Sequence, residues 1–194
     1  MALKSLDRDL NYKPQIAITS ATIEDTKAVS TILAQSFYNF PEYAHWIYPF
    51  LRLTINEDLR YRLRSASPSY GCLVAKARKS GEGDTPEEVV GTIEIALRSS
   101  LWPHSDRYPY ISNLAVASES RRLGVGTQLL QACEQMALDW GYQEIRLHVL
   151  DRNEPAKQLY CSNGYQISQI ESNWGGFWFD CSPRLLLKKA IRRS

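Results

Sequence analysis

Several signals are missing from these 194 residues, and each absence closes off a class of protein. No run of about 18 apolar residues occurs, so no membrane-spanning helix is expected. The net charge is only +2, too small to favour nucleic acid or a membrane surface. The basic tail, Lys188-Lys189 and Arg192-Arg193, reads as a solvated terminus. The four cysteines, Cys72, Cys133, Cys161 and Cys181, form no C-x-x-C pair. They read as reduced, mostly buried thiols, not as a disulfide frame or a metal site. The three histidines, His45, His104 and His148, do not cluster, so no metal is expected. There is no dense acidic cluster, no internal repeat and no linker. The first residues carry Asp7 and Asp9 and have no signal-like apolar core. That argues against a secretory peptide, and no transit peptide is visible, so a cytoplasmic location is expected.

What is present is ordinary globular composition, 44% hydrophobic and 23% charged. Residues 1–14 read as a poorly ordered lead-in and 15–194 as one domain with a substantial core. A strand is expected over 15–19. Ser20 or Thr22 can cap a helix over 23–37 whose buried stripe is Ile23, Val29, Ile32 and Leu33. An aromatic-rich elbow at 40–50 leads to a second helix over 51–64. Strands follow at 70–77 and 89–97, separated by a polar loop. Strand 110–116, helix 123–140 and strand 144–150 then make a βαβ unit. Its helix buries Leu129, Leu130, Cys133, Met136, Ala137 and Trp140 at helical spacing, and Gly141 stops it. Its second strand alternates Ile145, Leu147 and Val149 with Arg146, His148 and Leu150. A short helix over 153–162 exits through Asn163-Gly164. Strand 166–172, a turn at Gly175-Gly176 and strand 177–188 form a terminal hairpin.

The most informative stretch is Arg121-Arg122-Leu123-Gly124-Val125-Gly126-Thr127, at the strand-to-helix turn of the βαβ unit. Two glycines one residue apart let the backbone come close to a bulky group. The helix start offers unpaired N–H groups and partial positive charge, and the arginines add full charge, so the natural guest is an anion such as a phosphate. A nucleoside-triphosphate loop is set aside because no Lys follows Gly126 and the four-residue gap is missing. The dinucleotide fingerprint is set aside because its third glycine falls on Leu129, and no acidic ribose partner stands about 20 residues on. On these residues alone, a plain helix start with solvated arginines stays open.

The flanks narrow the choice. Tyr110-Ile111-Ser112-Asn113-Leu114-Ala115-Val116 precedes the turn, and Arg121 to Gly126 fits Gln/Arg-x-x-Gly-x-Gly/Ala. Leu147-His148-Val149 is followed by Asn153, Ala156 and Leu159-Tyr160, then Asn163-Gly164-Tyr165. Over roughly 109–170 this resembles the acyl-CoA-binding core of the GNAT N-acetyltransferase superfamily, and is similar to its protein N-terminal and lysine acetyltransferases of plastid or cyanobacterial type. The resemblance implies a mixed α/β fold. Its sheet is seven-stranded and mostly antiparallel, with about four helices, a bulged central strand, and fourth and fifth strands that splay apart.

The resemblance also implies acetyl transfer from acetyl-CoA to an amine, with no metal. Main-chain groups of Arg121, Arg122, Leu123, Gly124, Val125, Gly126 and Thr127 would hold the pyrophosphate. Leu114, Ala115 and Val116, at the bulge, would pair with the pantetheine arm, and an amide there would face the developing oxyanion. Asn153 would contact the pantetheine amides, or simply cap a helix. Tyr160 would protonate the leaving sulfur as general acid. Tyr110 and His148 match a pair that takes a proton from the amine through a water in the N-terminal α-amine branch. Glu94 is the rival base. The implied acceptor is a protein N-terminal α-amine or a lysine ε-amine. A small amine (polyamine, amino acid or aminoglycoside) is an alternative, and a non-catalytic acyl-CoA-binding module is a third. A monomer or homodimer is expected.

Overall fold

The computed structural model of the chain describes residues 15–37, 47–78, 87–99, 107–171 and 183–193. The lead-in at 1–14, most of the aromatic elbow and the Gly175-Gly176 turn lie outside the described residues. The elements in order are β1 (Ile16–Ser20), α1 (Thr26–Phe37), α2 (Tyr48–Ser65), β2 (Tyr70–Ala77), β3 (Glu88–Ser99), β4 (Arg107–Val116), a 3-10 turn (Ser118–Ser120), α3 (Val125–Asp139), β5 (Glu144–Leu150), α4 (Glu154–Ser162), β6 (Gln166–Glu171) and β7 (Arg184–Ala190).

The seven strands make one sheet in the order β1-β2-β3-β4-β5-β7-β6. Every neighbouring pair is antiparallel except β4 and β5. Those two run parallel and pair only at Tyr110↔Arg146 and Ile111↔Leu147. Beyond Ile111 they separate, because β4 bulges. Thr92 of β3 faces Ala115 and Glu94 faces Ser112, so Asn113 and Leu114 share one place in the ladder. Asn113 takes the bulge's left-handed backbone, with φ 53°, a conformation asparagine tolerates better than most residues. The expected bulge and splay are both present, and together they open a slot in the middle of the sheet.

Two apolar layers hold the sheet. On one face Ile93, Ile95, Ile111, Leu147 and Leu187 are buried with Leu129 and Leu130 of α3. On the other, Val29, Ile32, Leu33 and Leu59 from α1 and α2 cover Cys72, Val74 and Ala115. Each leucine taken fully out of water contributes about 2 kcal/mol. In β5 the residues alternate buried and half-buried, as the pattern of Ile145, Leu147 and Val149 requires. At the end of α3, Gly141 (φ 87°) allows Tyr142 N–H to reach Ala137 O and Gly141 N–H to reach Leu138 O. These are the paired bonds of a glycine-terminated helix.

Some boundaries differ from expectation. Helix α1 starts at Thr26, not 23, because Asp25 bends back to accept from the Thr22 amide (2.8 Å) and hydroxyl (2.9 Å). Ile23 therefore sits in a turn and is 43% exposed, outside the buried stripe. Helix α2 starts three residues early, with Pro49 in its first turn, where a missing N–H costs nothing. Of the thiols, Cys72 and Cys133 are buried but Cys161 is exposed, since α4 turns that face to solvent.

Candidate active site

A cavity of about 540 Å³ lies where β4 and β5 diverge. Its walls include Leu114, Ala115 and Val116 of the bulged strand, the turn Arg121–Arg122 and Gly124, the first turn of α3 (Val125, Gly126, Thr127), and Asn153, Leu159 and Tyr160 near or on α4. Nearly all the residues expected to bind cofactor thus share one concave surface. Leu123 is the exception. Its side chain packs against the core beneath the turn and does not line the cavity.

The turn is built for an anion. Arg122 (φ 64°) and Gly124 (φ 83°) are both left-handed and flank Leu123. Helix α3 then begins with no side-chain cap at Gly124, and its ladder opens with Gln128 N–H to Gly124 O at 3.1 Å. The N–H groups of Val125, Gly126 and Thr127 precede that ladder and are left for a guest, where the helix end also carries partial positive charge. Arg121 Nε donates to Val116 O (3.1 Å), which holds that side chain beside the cavity.

Gly126 has a different task. A Cβ there would lie 2.9 Å from Leu159 Cδ2. The missing side chain lets α4 press against the first turn of α3, which brings the neighbouring Tyr160 to the cavity. Asn163 reinforces the contact by donating to Thr127 Oγ1 (3.3 Å) and Leu159 O (2.8 Å). Asn153 accepts from Ala156 N–H (3.3 Å) as the cap of α4 and also lines the cavity.

Tyr160 is 8% exposed. Burial, with the nearby Tyr110 phenol adding to it, pushes its own phenol up to about 12. It therefore holds its proton throughout the neutral range. Its ring packs edge-on against Tyr165 (centroids 5.8 Å apart).

Tyr110 and His148 are 38 residues apart in sequence, yet Tyr110 Oη and His148 Nδ1 stand 2.8 Å apart. The short parallel pairing of β4 and β5 brings them together. Tyr110 is buried and His148 half-buried. The Arg98 guanidinium lies over the Tyr110 ring, 3.6 Å from its centroid. His148 Nε2 is 3.1 Å from Glu171 Oε1, an ion-pair distance without hydrogen-bond alignment. Neither Tyr110 nor His148 lines the cavity; they lie on the β4–β5 face beside it.

Glu94 is 1% exposed and also stands apart from the cavity walls. It accepts from Arg62 of α2, from Tyr70 Oη (3.0 Å) and from Asn113 Nδ2 (2.9 Å). Sequence reading missed Arg62, Tyr70, Asn113 and Glu171. Only Asn113 had a local signal, an asparagine inside a strand. No cluster of three or more candidate metal ligands occurs among the described residues.

The acetyltransferase (GNAT) family pattern matches residues 27–165, and the chain belongs to that family. GCN5-related N-acetyltransferase 10, chloroplastic, from Arabidopsis thaliana is 25% identical over 173 residues, covering 86% of this chain and 68% of that protein. Thialysine N-epsilon-acetyltransferase from Bos taurus is 34% identical over 125 residues, covering 64% of this chain and 72% of that protein. The PaiA N-acetyltransferase of Thermoplasma acidophilum, solved with coenzyme A, superposes with a TM-score of 0.65 at 20% identity, covering 91% of this chain and 99% of that one. The family reaction moves an acetyl group from acetyl-CoA to an amine. The cavity meets its main demand, since unpaired helix-start amides and two arginines face the space that the splayed strands open.

Proposed function

We propose that this protein acetylates protein amines, with N-terminal α-amines as the preferred acceptor. The observation that carries this reading is the 2.8 Å contact between Tyr110 Oη and His148 Nδ1 beside the cofactor cavity. An α-amine has a pKa near 7.8 and a lysine near 10.4, so at neutral pH the α-amine is neutral some hundreds of times more often. A phenol–imidazole pair suits an acceptor that needs so little help. Nδ1 accepts the Tyr110 proton as Tyr110 Oη takes one from the amine through a water.

On the other side, acetyl-CoA supplies the acetyl group and a sulfur leaving group. Amides at 125–127 hold its pyrophosphate. Main-chain groups of Leu114, Ala115 and Val116 align its arm, and Asn153 borders the same path. Tyr160 lines the cavity with its proton retained, and it donates that proton to the departing sulfur. We place the reaction in the cytoplasm; a chloroplast signal from a fluorescent fusion of the full chain would refute that location.

The test is acetyl-CoA turnover against a library of N-terminal peptides, a lysine peptide blocked at its α-amine, and small amines including thialysine. Preference for the N-terminal peptides is expected. Thialysine turning over faster than every peptide would overturn the reading in favour of a small-amine enzyme, the alternative that the bovine relative's name supports. Coenzyme A binding with no turnover on any acceptor would select the non-catalytic module.

A further inference from the structure

Glu94 sits in the protein interior as the meeting point of four elements. Its carboxylate, on β3, receives Arg62 from α2, Tyr70 from β2 and Asn113 from β4. Three donors satisfy a buried carboxylate well. Asn113 is the telling partner. It is the left-handed residue of the β4 bulge, and its side chain is tied by a 2.9 Å bond to Glu94 Oε1. The next two residues, Leu114 and Ala115, line the cofactor cavity. A left-handed asparagine inside a strand is strained and persists only where its surroundings hold it.

We infer that Glu94 is a positioning residue: it clamps Asn113, holds the β4 bulge open, and so aims the main chain of Leu114 and Ala115 into the cavity. Arg62 and Tyr70 fix the carboxylate from the opposite side. The clamp rests on the reading of that cavity as the coenzyme A site, though not on the identity of the acceptor. It also assigns Glu94 a duty other than that of the base: Oε2 takes Arg62 and Tyr70, and Oε1 takes Asn113.

Two variants test it. Asn113→Gly keeps the left-handed backbone and deletes only the tether. Glu94→Gln keeps the shape but turns one acceptor into a donor aimed at Arg62 or Asn113. Both are expected to lower kcat/KM for acetyl-CoA by about 10- to 100-fold, because a small displacement of aligned groups is costly. Both should weaken coenzyme A in calorimetry and leave the acceptor KM and the shape of the pH–rate profile unchanged. Loss of the acidic limb in Glu94→Gln would make Glu94 the base and overturn the clamp. Wild-type affinity and turnover in Asn113→Gly would overturn it as well. If Glu94→Gln fails to fold, Asn113→Gly decides alone. The acceptor reading is separable, since calorimetry needs no acceptor; wild-type protein that binds no coenzyme A overturns the cavity assignment and the clamp with it.

Discussion

Gly124 and Gly126 are two residues apart on the same turn, and the structure requires opposite things of them. Gly124 is left-handed (φ 83°), and an added Cβ would meet no atom within 4 Å. The cost of Gly124→Ala is therefore backbone strain alone, about 1–2 kcal/mol for an L-residue in that region. The stiffer unfolded chain returns roughly 0.4–1 kcal/mol of it. A net loss near 1 kcal/mol follows, or a fall in Tm of about 2–4 °C for a chain of this size. Gly124→Asn should lose less, although its side chain is larger, because asparagine tolerates the left-handed region. Gly126 lies inside α3 with no such strain. There the methyl gains about 1 kcal/mol of helix propensity but must push Leu159 Cδ2 from 2.9 Å. Gly126→Ala should leave stability within about 1 kcal/mol of wild type, yet depress turnover by displacing Leu159 and the adjacent Tyr160. Urea unfolding gives the stabilities, and calorimetry with coenzyme A shows whether the amides at 125–127 keep their aim. If Gly124→Ala is as stable as wild type, or more stable than Gly124→Asn, backbone conformation does not govern this turn and the reasoning fails.

Tyr110→Phe and His148→Ala should each lower kcat on N-terminal peptides by about 100-fold or more, with acetyl-CoA KM little changed. The double variant should lose no more than the worse single one, and additive losses would show that the two do not act as a unit. Tyr160→Phe should depress kcat with coenzyme A affinity retained. Burial pushes this phenol up to about 12, above its unfolded value near 10, so the protonated form and its share of stability persist below about pH 10 and are lost as pH rises through about 12. No falling limb from Tyr160 should thus be seen between about pH 7 and 10, and one that disappears in Tyr160→Phe would contradict its burial. Burial alone would raise the Asp25 carboxyl, but the Lys76 ion pair (2.9 Å) and the bonds from Thr22 outweigh it and hold it below its ordinary value. Its stabilisation is present above about pH 4 and lost as pH falls below that. Asp25→Asn should destabilise the fold at pH 7 and cost progressively less as pH falls below about 4, and a pH-independent loss would assign the effect to packing.

Much of the fold was legible because it rests on local periodicity. The alternation of Ile145, Leu147 and Val149 matched a strand with one buried face. The stripe of Leu129, Leu130, Cys133 and Ala137 matched a helix lying on the sheet. Helix starts were read less well. The Thr22–Asp25 bond spans only three residues, but the Lys76 ion pair that fixes Asp25 comes from β2, which no window of sequence around α1 contains.

The chain's own order of residues determined the glycine-kinked turn, its arginines and the helix behind it, because left-handed geometry and free N–H groups are local properties of a few consecutive residues. It likewise marked Asn153, which caps α4, and Tyr160 on it, through the resemblance of that stretch to the family motif. The family resemblance named the Tyr110 and His148 pair, but only the tertiary structure decided which side chains come within hydrogen-bond reach. Tyr110 meets His148 because two parallel strands pair over two residues and then part. Glu94 became an interior anchor because α2 and β2 deliver Arg62 and Tyr70 to it, and because the bulge turns Asn113 inward. Contacts across 19 to 38 residues are set by strand register and helix docking. Those follow from the burial of the whole core, not from any short stretch of the chain.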